Sequence, residues 1–264
     1  MIENSSQPIG IFDSGIGGTS IWKEVQQLLP NEDTIYLADS LYAPYGQKSK
    51  EDIINLSIKN VEFLINKNCK LIIVACNTAT TNAIKYLRAN YSVSFIGIEP
   101  AIKPASLQTK TKTIGILATK GTLNSELFEK TSSLIDNDIK IIEQIGEGLV
   151  ELIEQGKIDS TEMDLLLRTY INPMLEENID CLVLGCTHYP YLIDAIKKIT
   201  KDSINIIDSG EAVAKQTKRI LASKNLLNRT EHNASNIFYT NKDKTVLENI
   251  LRGSKYTLIE ELNF

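Results

Sequence analysis

Residues 71–84 read LIIVACNTATTNAI, and residues 181–196 read CLVLGCTHYPYLIDAI. Each is a short unbroken apolar run that ends on a cysteine, then small polar residues, then a helical pattern. An apolar run of this length bounded by polar turn residues reads as a strand buried on both faces. A second echo lies upstream, IGIFDS (9–14) against IGILAT (114–119). Asp13 precedes Cys76 by 63 residues, and Ala118 precedes Cys186 by 68. The same motifs in the same order at similar separation predict an internal duplication. The plainer origin, that any α/β chain repeats "apolar strand, then small polar residues", stays open at this point.

Working outward, strands are predicted at 9–12, 34–38, 71–75, 94–98, 113–117, 139–143, 181–185, 205–207 and 236–239. Helical patterns lie between them, for example at 52–66, 161–177 and 210–223. In 161–177 the apolar residues Met163, Leu166, Leu167, Tyr170, Ile171 and Met174 recur every three or four positions, one face of a helix. Strands alternating with helices imply parallel sheets covered on both faces. The expected fold is α/β, with two pseudo-symmetric, doubly wound parallel-sheet lobes and the active site between them. Residues 1–98 with 208–264 would form one lobe and 99–207 the other. The chain would leave the first lobe near Glu99–Pro100 and return near Ile207–Gly210.

The 264 residues are too many for one small core. Apolar residues make up 42% and charged residues 23%, an ordinary globular composition. Twenty-eight Lys and Arg against 33 Asp and Glu give a formal charge of −5, so no nucleic-acid partner is expected. The longest apolar stretches are strand-sized, and the N-terminus lacks a basic segment followed by an apolar run. No membrane partner and a cytoplasmic, reducing setting are the expectation, with the four cysteines as thiols.

Two of those thiols stand out. Cys76 and Cys186 each follow a buried strand and precede a helix, and ligands in α/β proteins gather at the carboxyl ends of the strands. A helix N-terminus favours thiolate, so a lowered thiol pKa is expected. Its free N–H groups can also hold a carboxylate. Asn77 and Thr78 suit helix capping as well as binding. Taken alone, Cys-Asn-Thr after a strand is equally a buried inert cysteine. His188, one of only two histidines, lies two residues from Cys186, and Pro190 fits a first helical turn. The other histidine, His232, sits in a polar stretch and reads as surface. Cys69 and Cys181 read as small core residues.

Asp13 ends the first strand and opens DSGIGG (13–18), whose glycines permit a tight turn and close approach of a ligand. Position 20 is Ser, so this is not a dinucleotide fingerprint, and no Gly-Lys-Ser/Thr follows. Two thiols offered by two facing lobes suit proton transfer at both faces of one carbon. Asp13 and His188 would each tune one thiol, with Asn77, Thr78 and Thr187 as donors to a developing carbanion.

The motifs FDSGIGG (12–18), YLADSLYAPYG (36–46), VACNTATTNA (74–83), GILATKGT (115–122) and LGCTHYPYL (184–192) resemble those of glutamate racemases in the cofactor-independent aspartate/glutamate racemase superfamily. They cover most of the chain in the family's order. The resemblance implies that Cys76 and Cys186 are the two acid/base residues, assisted by Asp13 and His188 respectively. It implies a substrate lining of Asp13, Ser14, Tyr45, Gly46, Asn77, Thr78, Thr187 and His188. Thr119 and Thr122 would reach the distal carboxylate. It further implies glutamate as substrate, no cofactor and no metal, a homodimer, and supply of D-glutamate for peptidoglycan. Glu154 matches an acidic residue that supports the second thiol. The chain departs from the family at Ser40–Ala43, where an Arg is common, and at Gly146–Glu147, where Ala-Cys-Pro is common. The competing expectations are a racemase of aspartate or another small acidic amino acid, a zinc site on Cys76, Cys186, His188 and Asp13, and a binding protein without turnover.

Overall fold

The computed structural model of the chain describes residues 4–264. Its elements run β1 (Ile9–Asp13), α1 (Thr19–Leu28), β2 (Thr34–Ala38), α2 (Lys50–Asn66), β3 (Leu71–Val74), α3 (Asn77–Asn90) and β4 (Ser94–Gly97). They continue with α4 (Ile102–Gln108), β5 (Thr113–Ala118), α5 (Lys120–Leu123), α6 (Glu126–Ser132), β6 (Lys140–Ile145), α7 (Leu149–Glu154), α8 (Thr161–Glu176) and β7 (Cys181–Gly185). The chain closes with α9 (Ile193–Thr200), β8 (Asn205–Ile207), α10 (Gly210–Ser223), β9 (Asn236–Thr240), α11 (Thr245–Ile250) and β10 (Leu258–Glu261).

Two sheets result, both parallel throughout. One has the order β10-β9-β2-β1-β3-β4 and the other β6-β5-β7-β8. The second order is that of β2-β1-β3-β4 with each strand advanced by four. The echoed sequences therefore occupy equivalent strands: β1 matches β5, and β3 matches β7. In each lobe the strand order reverses between these two central strands, and that crevice is where an open α/β sheet binds its ligand. The two lobes and the α/β class agree with the sequence reading.

The pleat sorts the apolar residues. Ile9, Ile11, Leu71 and Ile73 face one core, and Phe12, Ile72 and Val74 face another. In the second sheet Leu182 and Leu184 join the first of these cores, while Cys181 and Val183 pack with Ile114 and Ile116 in a third. One apolar core thus runs continuously from lobe to lobe. The crossovers between the lobes are joined where Ser209 Oγ donates to the Glu99 carbonyl at 2.5 Å.

Helix starts follow ordinary capping. Ser49 accepts from Asp52 N at 3.1 Å and Ser160 from Met163 N at 3.1 Å. Along α8, Met163, Leu167, Ile171 and Met174 are buried, as the periodicity predicts. Two edges differ from expectation. β6 runs 140–145 rather than 139–143, and β10 has no counterpart among the predicted strands. Both are edge strands with few fully buried side chains, and charged or short edges carry little apolar pattern to read.

Candidate active site

The carboxyl ends of β1, β3, β5 and β7 converge between the lobes. Ser14, Pro44, Tyr45, Gly46, Cys76, Asn77, Thr78, Thr119, Val150, Cys186, Thr187 and His188 line one small, nearly closed cavity there. Every catalytic or substrate-binding candidate from the sequence lines this place or is bonded to a residue that does. Asp13 joins through Ser14, whose hydroxyl donates to Oδ1 at 3.5 Å, and through Thr187, whose hydroxyl donates to the same atom at 3.3 Å. Thr122 joins through a triangle of hydroxyls with Thr78 and Thr119, 2.8–3.2 Å apart, that spans both lobes. Pro44, from the quoted YLADSLYAPYG stretch, and Val150, which carries no sequence signal of its own, complete the lining. A wider cleft of about 230 Å³ shares Pro44, Gly46, Thr119 and Val150 with the cavity and opens outward past Gln47, Lys120 and Glu151.

The two thiols enter from different lobes. Cys76 is the N-cap of α3, its sulfur accepting from Ala79 N at 3.4 Å and lying 3.7 Å from Ser14 Oγ. The expected lowering of its pKa does not occur. Burial, then the neighbouring charge of Asp13, push the Cys76 thiol well above the ordinary range, and the Ala79 N–H offsets only part of this. Since Cys76 caps the helix, Asn77 does not. The Asn77 side chain is buried and lines the cavity, and both its amide atoms lack a hydrogen-bond partner among the described residues. A buried amide without partners is costly, and native structures rarely keep one without a reason.

Cys186 follows β7, its sulfur 3.8 Å from His188 Nδ1. On the far side of the ring, Nε2 lies 2.7 Å from Glu154 Oε1. Burial opposes a charged imidazole, but the bonds to Cys186 and Glu154 and the charge of Asp13 outweigh it, so the His188 pKa stands well above its usual value. Nε2 then donates to Glu154, and the Gly17 N–H 3.3 Å away is a neighbour rather than a donor. Glu154, 9% exposed, also accepts from Ile16 N at 2.6 Å and from Ser40 Oγ at 2.8 Å. A signal for Glu154 exists in the sequence. It follows Leu149, Val150, Leu152 and Ile153, so α7 buries it among apolar residues. Asp13, fully buried, is pushed up by burial, against the pull of His188 and of the Gly18 N–H that bonds its Oδ2 at 2.8 Å.

The glycine-rich turn also makes room for the facing lobe. A Cβ at Gly17 would sit inside the His188 ring, and one at Gly15 would collide with the Glu154 carboxylate. At Gly15 and Gly17 the close approach is to side chains of the second lobe. Cys69 and Cys181 are buried as expected, and burial pushes Cys69 up to about 12. His232 is at the surface beside Asp33. Among the described residues, no group of three or more His, Cys, Asp and Glu side chains is arranged to hold a metal ion, and no helix is long and apolar enough to cross a membrane.

Known proteins match this arrangement closely. The Asp/Glu/hydantoin racemase family pattern matches residues 10–217. The glutamate racemase of Herpetosiphon aurantiacus is 47% identical over 223 residues, 84% of this chain and 87% of that protein. A glutamate racemase isoform from Bacillus anthracis superposes with a TM-score of 0.88 at 31% identity, over 99% of each chain. The Escherichia coli glutamate racemase in complex with L-glutamate and the activator UDP-MurNAc-Ala superposes with a TM-score of 0.84 at 29% identity, over 97% of this chain and 98% of that one. Matched by the family pattern over residues 10–217 and by relatives of this identity and coverage, the chain belongs to the Asp/Glu/hydantoin racemase family.

Proposed function

We propose that this protein interconverts L- and D-glutamate by moving the α-proton between two thiols. The observation that carries the reading is that Cys76 and Cys186, from equivalent strand ends of two equivalent lobes, line one cavity. In one direction a thiolate takes the α-proton from one face of the substrate. The electron pair stays on the α-carbon, and the other cysteine delivers its thiol proton to the opposite face. The first cysteine ends as thiol and the second as thiolate, and the reverse reaction or exchange with water resets them. No redox change or cofactor is required for this balance.

The remaining groups have complementary tasks. His188, held by Glu154, offers a positive partner to thiolate at Cys186. Asp13 faces Cys76 through Ser14. The Asn77 amide would gain its missing partners from the substrate's α-carboxylate and amino group. The hydroxyls of Thr78, Thr119 and Thr122 would receive the distal carboxylate, with Tyr45, Gly46 and Thr187 closing the cavity. A carbanion next to a carboxylate needs donors already in place; the threonine hydroxyls are fixed by their own bonds, while the Asn77 amide is left free for the substrate.

We further infer a cytoplasmic homodimer that supplies D-glutamate for peptidoglycan, a reading that the family likeness supports. Strand membership of the two sheets supports dividing the chain into 1–98 with 208–264, and 99–207. The test is to offer each enantiomer of glutamate and of aspartate to the purified protein and follow optical activity. Glutamate from either side should reach an equal mixture. Inert glutamate with rapid aspartate turnover would assign the narrower substrate, and no turnover of either would leave a binding protein.

A further inference from the structure

Asp39 directly follows β2, opening the turn there, and is fully buried. Its Oδ1 accepts from Lys59 Nζ at 2.9 Å and from Asn241 Nδ2 at 2.5 Å. Its Oδ2 accepts from Asn60 Nδ2 at 3.2 Å and from the Tyr45 hydroxyl. Four donors fill the sites a carboxylate offers. They come from α2, from the segment after β9 and from the turn that lines the cavity. The backbone fixes the hub in turn: Asp39 N donates to the Asp13 carbonyl at 3.1 Å, at the end of the neighbouring strand. The next residue, Ser40, carries the bond to Glu154.

Nothing in the proton transfer uses this carboxylate, and it does not line the cavity. Its side chain connects to the substrate space through Tyr45. The Tyr45 hydroxyl, bonded to Asp39 and accepting from Asn60 at 3.1 Å, is turned into the hub. The residue nevertheless contributes to the cavity wall. Beside it, Gly46 packs so tightly on Thr119 that a Cβ there would collide with it. A tyrosine tethered at its tip therefore sets where the wall made by Pro44, Tyr45 and Gly46 stands against the threonine loop of the other lobe.

We propose that Asp39 is a positioning residue for the reaction, holding Tyr45 so that the wall fits the substrate in both of its enantiomeric forms. The inference rests on the racemase reading. Because Asp39 acts on fit rather than on proton transfer, its loss should appear in KM and not in kcat. Loss of one hydrogen bond to a charged group corresponds to a change of about tenfold or more.

The test is a double-mutant cycle on Asp39→Asn and Tyr45→Phe, assayed with L- and D-glutamate separately. Each variant should raise KM about tenfold for both enantiomers, with kcat within about threefold of wild type. The double variant should be no worse than D39N alone, because both changes cut the same bond. Y45F leaves Asp39 with its three other donors, so it stands as the test if D39N does not fold. Unchanged KM in Y45F, a loss confined to kcat, or additive effects in the double variant would overturn the role. Wild-type racemisation alongside any of these results would leave the catalytic reading intact, whereas an inactive wild type would remove that reading itself.

Discussion

His188 Nε2 and Glu154 Oε1 lie 2.7 Å apart, both side chains buried, while His188 Nδ1 on the opposite side of the ring faces the Cys186 sulfur at 3.8 Å. The imidazole is thus placed between a carboxylate and a thiol, and the carboxylate favours its charged form. Glu154→Gln keeps the shape and removes the charge. It should lower kcat by about ten- to a hundredfold, less than the ~10²–10⁴-fold expected for a direct proton-transfer group. It should also move the His188 titration downward, read by NMR of the ring. A normal kcat with an unmoved titration would separate Glu154 from the reaction.

Gly17 is where the first lobe makes room for that ring. Gly17→Ala drives a methyl group into His188. Overpacking of this kind costs about 1–3 kcal/mol. The expected outcome is a lower Tm together with a kcat loss comparable to that of His188→Gln, with far-UV circular dichroism unchanged. Wild-type activity in G17A would show that the ring's position is not critical.

Much of this architecture is legible in the sequence, and the reasons it is partial are local. The echo of 71–84 by 181–196 gives the lobes and both thiols, because buried parallel strands are continuous apolar runs closed by polar residues, although only Cys76 caps an α-helix directly and α9 begins seven residues after Cys186. The four-donor setting of Asp39 is not legible. Its partners Tyr45, Lys59, Asn60 and Asn241 are up to 202 residues away, and no local pattern marks them. The direction of the Cys76 pKa is hidden for a related reason. Helix position is local and readable, while the Asp13 charge reaches Cys76 through the pairing of β1 with β3, strands far apart in the sequence. The glycines of 13–18 are recognisable as sites of close approach, but which group approaches is a fact of the second lobe.

Asn77 offers a clean separation of binding from stability. Its amide makes no hydrogen bond to the described residues. Asn77→Ala removes no such bond, so Tm should hold or rise slightly, while KM for glutamate should rise about tenfold or more, the loss of a bond to a charged group. A clear fall in Tm at unchanged KM would mark Asn77 as structural.

Asp13 links activity to stability through pH. Burial raises its pKa above the ordinary 3.8. A carboxyl with a higher pKa in the folded than in the unfolded chain favours folding fully below the unfolded value, and that contribution is lost as pH rises through the folded value. At neutral pH the buried charge is therefore a cost. Asp13→Asn should give a higher Tm than wild type at a pH of about 7.5, the gap closing as pH falls toward about 4, with racemisation strongly impaired. A gap of the same size at both pH values, or a less stable variant at the higher one, would contradict this.

The central claim is that two thiols work on opposite faces of one carbon, and isotope exchange tests it most directly. L-glutamate is placed with the enzyme in deuterated water, and the first few per cent of product is examined by mass spectrometry or NMR. D-glutamate should carry deuterium at the α-carbon, because its proton comes from the solvent-exchanged thiol on the far face, and the remaining L-glutamate should stay largely protiated. Early D-glutamate that retains much of the original α-proton would mean that one base carries the proton across, and the two-thiol account would be wrong.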